Sequence, residues 1–210
     1  MYYEYGKKEL EHLKSRDKVL GEAMDRIGHI YRETEDDVFS SLVHQIIAQQ
    51  ISGAAQATVW ARLQERLGTV SAENIYALGA EELQKAGISR RKAGYILELS
   101  EKVLSDEFNT EALFSMTDEK AVNELTSLRG VGVWTAEMLL IFCLKRPDIM
   151  SFGDLGIRRG MRMLYCLNTL DRNEFDRRGK LYSPHKTVAS LYFWAIAGGA
   201  LPELSDPART

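Results

Sequence analysis

Apolar residues recur three and four positions apart along almost the whole chain, which is the spacing of one helix face. The clearest run is Val38, Leu42, Val43, Ile46, Ile47 and Ile51, preceded by Asp36 and Asp37, whose carboxylates favour a helix start. A second stripe follows Ala93, Ile96, Leu97, Val103 and Leu104. The same period predicts helices at 8–27, 54–67, 79–86, 118–127, 133–145, 155–167 and 185–197, and no segment alternates as a strand would. Only 4 prolines interrupt 210 residues, so the pattern predicts an all-α protein. No Gly/Ser linker or low-complexity tract divides it, and the turn signals at Gly87, Gly130–Gly132 and Gly153 separate helices rather than domains.

Composition narrows the class. At 45% hydrophobic the chain can bury a core without staples. Cys143 and Cys166 lack the paired spacing of a zinc site and are expected in a reduced interior. No apolar run approaches the ~20 residues of a membrane span, and the start of the chain has no signal-peptide character. A cytoplasmic, monomeric protein with no membrane partner is expected. The formal net charge of −3 argues mildly against a polyanionic partner, but its distribution softens the objection. Residues 1–126 hold 15 Lys and Arg against 22 Asp and Glu, whereas residues 127–190 hold 11 against 6.

The most informative stretch is Leu125-Thr126-Ser127-Leu128-Arg129-Gly130-Val131-Gly132-Val133-Trp134-Thr135-Ala136. Two glycines flank a valine between helical segments, and the second helix starts at Gly132 or Val133 with no side chain in front of its unpaired N–H groups. That is a phosphate site built from backbone; alternatively it is an ordinary helix–helix turn. Its Leu128-x-Gly-Val-Gly-x-x-Thr135-Ala136 pattern resembles the hairpin of the helix-hairpin-helix DNA-binding motif. The resemblance implies that the amides of Gly130, Gly132 and Thr135 hold a DNA phosphate. It also implies a monovalent cation, Na+ or K+, on the carbonyls of Thr126, Leu128 and Val131.

Twenty residues beyond Trp134 stands Asp154, between a loop and a helix. Alone it reads as an N-cap. With the hairpin, it resembles the catalytic carboxylate of the helix-hairpin-helix glycosylase superfamily. The chain is most similar to the DNA-3-methyladenine glycosylase II branch of that superfamily, in a compact form without the N-terminal β-domain. Three further segments carry the likeness: Ile46-Ile47-Ala48-Gln49-Gln50-Ile51-Ser52, Gly87-Ile88-Ser89-Arg90-Arg91-Lys92-Ala93 and Ser183-Pro184-His185-Lys186-Thr187-Val188-Ala189. The resemblance implies two helical lobes, a discontinuous one from 1–35 and 146–210 carrying Asp154 and one from 36–145 ending in the hairpin, with the active site in the cleft between them.

The implied activity is monofunctional hydrolysis of the N-glycosidic bond of alkylated purines, of the 3-methyladenine and 7-methylguanine type, in double-stranded DNA during base excision repair. An enzyme cannot reach that bond inside stacked DNA, so the nucleotide must be flipped out. N3- and N7-alkylated purines are cationic, and an aromatic face attracts a cation by about 0.5–2 kcal/mol. The resemblance assigns that face to Trp134 and the rest of the base pocket to Met138 and His185. Cleavage develops positive charge on the sugar, which the Asp154 carboxylate would stabilise while orienting or deprotonating water. A cationic purine leaves as a neutral base and needs no general acid, so one carboxylate suffices, and the resemblance implies no required cofactor.

Gln49, Gln50, Ser52, Arg90, Arg91, Lys92 and Lys186 are the further DNA-binding candidates, and the wedge that fills the gap left by the flipped base stays open among Gln49, Gln50, Ile51 and Ser52. Two alternatives are weighed. A bifunctional glycosylase/lyase for oxidised bases needs an amine where Trp134 stands, and many of its kind carry an iron–sulfur cluster on four cysteines, which two cysteines cannot hold. A non-catalytic helix-hairpin-helix clamp needs no carboxylate facing DNA.

Overall fold

The computed structural model describes residues 1–209. In chain order its α-helices are α1 (Lys7–Arg16), α2 (Lys18–Ile27), α3 (Val38–Ala48), α4 (Gly53–Leu67), α5 (Ala72–Lys85), α6 (Arg90–Leu104), α7 (Ala112–Ser115), α8 (Asp118–Thr126), α9 (Val133–Phe142), α10 (Leu155–Tyr165), α11 (Arg172–Tyr182) and α12 (Lys186–Ala197). Among the described residues the sole β pairing is an isolated bridge between Tyr2 and Glu33. The protein is all-α, as its periodicity predicts. It forms two compact units, Met1–Thr34 with Lys145–Thr210, and Glu35–Leu144.

The discontinuous unit is built on α1, α2, α10, α11 and α12. Leu13, Leu20, Met24, Ile157, Met161, Phe175, Tyr182, Leu191 and Phe193 form its core. The helix predicted over 8–27 is two helices, because Asp17 is extended (φ −144°) and its side chain accepts from the Leu20 amide. Asp17 competes for the backbone as an N-cap does, and ends α1 while starting α2. Its carboxylate also accepts from the Tyr165 hydroxyl at 2.8 Å. α11 was not marked by the apolar period; ion pairs hold its surface instead, Arg172 to Asp176 and Glu174 to Arg177 and Arg178.

The continuous unit holds α3 to α9 around Leu42, Ile46, Leu63, Ile75, Leu83, Ile96, Leu125 and Leu139, all fully buried or nearly so. The helix predicted over 79–86 is the second half of α5, which begins at Ala72 and is broken at Gly79 (φ +75°). α9 ends at Phe142 rather than 145. The cysteines divide. Cys143 is buried, and burial pushes its thiol up to about 12, whereas Cys166 is exposed at the left-handed end of α10, contrary to the expectation of an interior site for both.

Candidate active site and DNA-binding hairpin

In the continuous unit the turn between α8 and α9 is anchored by buried Leu128 and Val131, with the Val131 amide donating to the Leu128 carbonyl at 3.1 Å. Gly130 has φ +84°, and a Cβ there would lie 2.3 Å from the Tyr95 ring, so only glycine fits beneath that ring. Gly132 caps α9 with extended backbone, no side-chain cap and open space where a Cβ would point. The first turn of α9, including Thr135, therefore begins behind a bare backbone, and first-turn amides have no acceptor one turn back. This is the arrangement that binds an oxyanion.

Three segments that are distant in sequence are tied together at this turn. Gln49, at the end of α3, donates its side-chain amide to the Gly130 carbonyl at 2.7 Å. Lys92, in the first turn of α6, donates to the carbonyls of Ile47 at 2.8 Å and Gln49 at 2.6 Å. Tyr95, one turn further along α6, supplies the ring over Gly130, and Arg129 lies over the same ring and pairs with Glu98 at 3.1 Å. Gln50 follows with φ +58°, Ile51 is exposed, and exposed Ser52 caps α4 by accepting from the Ala55 amide at 3.3 Å. Arg90 and Arg91 are exposed at the start of α6.

The discontinuous unit holds the candidate carboxylate. Asp154 caps α10, is 8% exposed, and takes two hydrogen bonds on Oδ1, from the Ile157 amide and from Trp194 Nε1, each 2.8 Å. The loop before it is fixed to α12: the Thr187 amide donates to the Pro147 carbonyl at 3.0 Å, and the Ile149 amide to Thr187 Oγ1 at 3.2 Å. A carboxylate so short of water is tolerated because donors replace its hydration.

A family profile described as the HhH-GPD superfamily base excision DNA repair protein matches residues 43–184, a span that contains the hairpin and the capping carboxylate. The chain belongs to this superfamily. Among its relatives, DNA-3-methyladenine glycosylase 1 of Schizosaccharomyces pombe is 28% identical over 176 residues, covering 81% of this chain and 76% of that protein. Among solved structures, a DNA-3-methyladenine glycosidase from Bacillus halodurans superposes with a TM-score of 0.86 at 32% identity, covering 97% of this chain and 95% of that one. The S. pombe 3-methyladenine DNA glycosylase in complex with abasic DNA superposes with a TM-score of 0.78 at 25% identity, covering 90% and 96%.

In this member of the HhH-GPD superfamily, the remaining candidate residues stand in differing surroundings. Lys92 is only partly buried: its ammonium donates to the end of α3, and burial, with Arg91 beside it, lowers its pKa. Lys186 pairs with Asp148 at 3.2 Å. Met138 is 3% exposed, while Trp134 is 36% exposed. His185 lies edge-on to His12 at 5.1 Å, and burial lowers its pKa against the opposing pull of Glu9. Much of the basic zone at 127–190 is also consumed internally, with Arg162 held bidentate by Asp206 and Arg177 and Arg178 both on Glu174.

Trp194 and Gly156 were not predicted. A Cβ on Gly156 would lie 2.8 Å from Trp194 Cδ1 and 3.1 Å from Asp154 Oδ1, so the missing side chain admits the indole. Nothing in the spacing of Asp154 and Trp194, forty residues apart, signals that contact.

Proposed function

We propose that this HhH-GPD protein is a monofunctional DNA glycosylase that hydrolyses the N-glycosidic bond of alkylated purines in duplex DNA, with Asp154 as its catalytic residue. The observation that carries the reading is the buried, doubly hydrogen-bonded carboxylate at the head of α10, inside a chain whose relatives are named for 3-methyladenine.

The hairpin amides of Gly130, Gly132 and Thr135 receive a phosphate, and Gln49, Gln50 and Ser52 lie on the segment tied to that hairpin. Exposed Arg90 and Arg91 add positive charge beside it. Trp134 offers an aromatic face to the extruded cationic base. As the base departs with the bonding electrons, positive charge develops on the deoxyribose. Asp154 stabilises that charge and directs water to the sugar carbon, taking its proton. The product is a free base and an abasic site.

The oxygen donors of the hairpin suit a hard monovalent cation. Thr126 is the last residue of α8, where carbonyls lack intrahelical partners, and Leu128 and Val131 add two more carbonyls in the turn. Such an ion would neutralise phosphate charge at the hairpin. A clamp and a carboxylate on one chain need no second copy, so the enzyme acts as a monomer. No helix among the described residues is long and apolar enough to cross a membrane.

The lyase alternative requires a lysine amine at the sugar. Trp134 occupies the position where such relatives place it, and Lys186 is held by Asp148. The direct test of Asp154 is the Asp154→Asn variant, assayed for release of methylated bases and for binding to undamaged duplex. Base release falls at least 100-fold with duplex binding unchanged or tighter, because the amide keeps the shape but not the charge. Release within about tenfold of the parent would remove Asp154 from this role.

A further inference from the structure

We infer that Trp194 is a positioning residue for the catalytic carboxylate: its indole N–H holds Asp154 Oδ1, and Gly156 exists to let it do so. The inference rests on the assignment of Asp154 above. Oδ1 receives two donors at 2.8 Å, but they differ in kind. The Ile157 amide is an ordinary N-cap bond, present wherever an aspartate starts a helix. The Trp194 bond comes from α12, a separate element, and adds to the same oxygen a donor from outside the helix that the aspartate caps.

The packing around the bond is built for it. Gly156 leaves no Cβ between the indole and the carboxylate, and Gly160, one turn on, meets the backbone of Phe193 so closely that a Cβ would fall 2.0 Å from its carbonyl oxygen. Two glycines on one face of α10 thus bring α12 near enough for the indole to reach Asp154. A Trp that served only as core filler would not need its N–H aimed at a carboxylate with so little exposure to water.

The test compares affinity for two duplexes, one carrying a cationic pyrrolidine in place of the damaged nucleotide and one a neutral tetrahydrofuran. The preference for the cation reads the carboxylate's hold on developing sugar charge, which a purely structural tryptophan does not set. W194F keeps the ring but not the donor. It is expected to lose about tenfold or more of the cation preference, as for loss of a hydrogen bond to a charged group, with tetrahydrofuran binding within twofold and kcat reduced more than KM is raised. G156A, which displaces the indole, loses the same preference and carries the test if W194F does not fold. Unchanged preference in the folded variants overturns the inference. An equal loss on both duplexes would also overturn it, making Trp194 a wall of the site. D154N separates the two levels: if it keeps the preference, or the parent has none, the Asp154 assignment itself fails.

Discussion

Read in sequence, Ser89-Arg90-Arg91-Lys92 places three cations at a helix start, where they oppose the macrodipole and ask for an anion. In the fold, Lys92 answers a different demand, since its ammonium completes the carbonyls of Ile47 and Gln49 at the C-terminal end of α3. Such carbonyls carry partial negative charge and lack helical partners. The lysine thereby ties the Gln49–Ser52 segment to α6. Lys92→Met should cost about 1–2 kcal/mol of stability, a fall in Tm of about 2–8 °C by calorimetry, with the salt dependence of duplex binding unchanged. An unaltered Tm with a salt slope smaller by about one phosphate would return Lys92 to a direct phosphate contact. Sequence could mark Lys92 as unusual but could not show its partner, because Ile47 and Gln49 lie more than forty residues away. Asp154 was legible because its local role as an N-cap and its distance from the hairpin are both written in the chain.

At the scale of elements, helices with a strong apolar stripe were legible and those held by other forces were not. α3, α4 and α6 follow their stripes closely, whereas α11 carries few apolar residues and is laced by Arg–carboxylate pairs three and four apart. The contact of α10 with α12 is hidden for another reason: it depends on Gly156 and Gly160, which add nothing to a hydrophobic pattern. Gly160→Ala tests this packing. The added carbon must displace the Phe193 backbone, so the helices have to separate, at a cost of about 3 kcal/mol or more. Urea denaturation should show a correspondingly lower midpoint. A loss under about 1 kcal/mol would mean that α10 and α12 are not held at contact by this glycine.

For the whole molecule, much of the charge that made 127–190 look like a basic surface is paired with Asp148, Glu174, Asp176 and Asp206, part of it in exposed ion pairs along α11. On the proposed reading, affinity for DNA would lean on backbone amides at the hairpin and a few exposed arginines, which is compatible with a formal net charge of −3. Function was more legible than surface chemistry because two local motifs, a glycine hairpin and a capping aspartate at a set distance, identify the superfamily together. The central claim is that water, directed by Asp154, is the sole nucleophile. The most direct measurement incubates the protein with a duplex carrying one alkylated purine or ethenoadenine, with and without borohydride, and resolves the products on a denaturing gel. Hydrolysis alone leaves an abasic site that breaks only after alkali and yields no protein–DNA adduct. Strand cleavage without alkali, or a borohydride-dependent adduct, would show a lysine Schiff base and contradict the account.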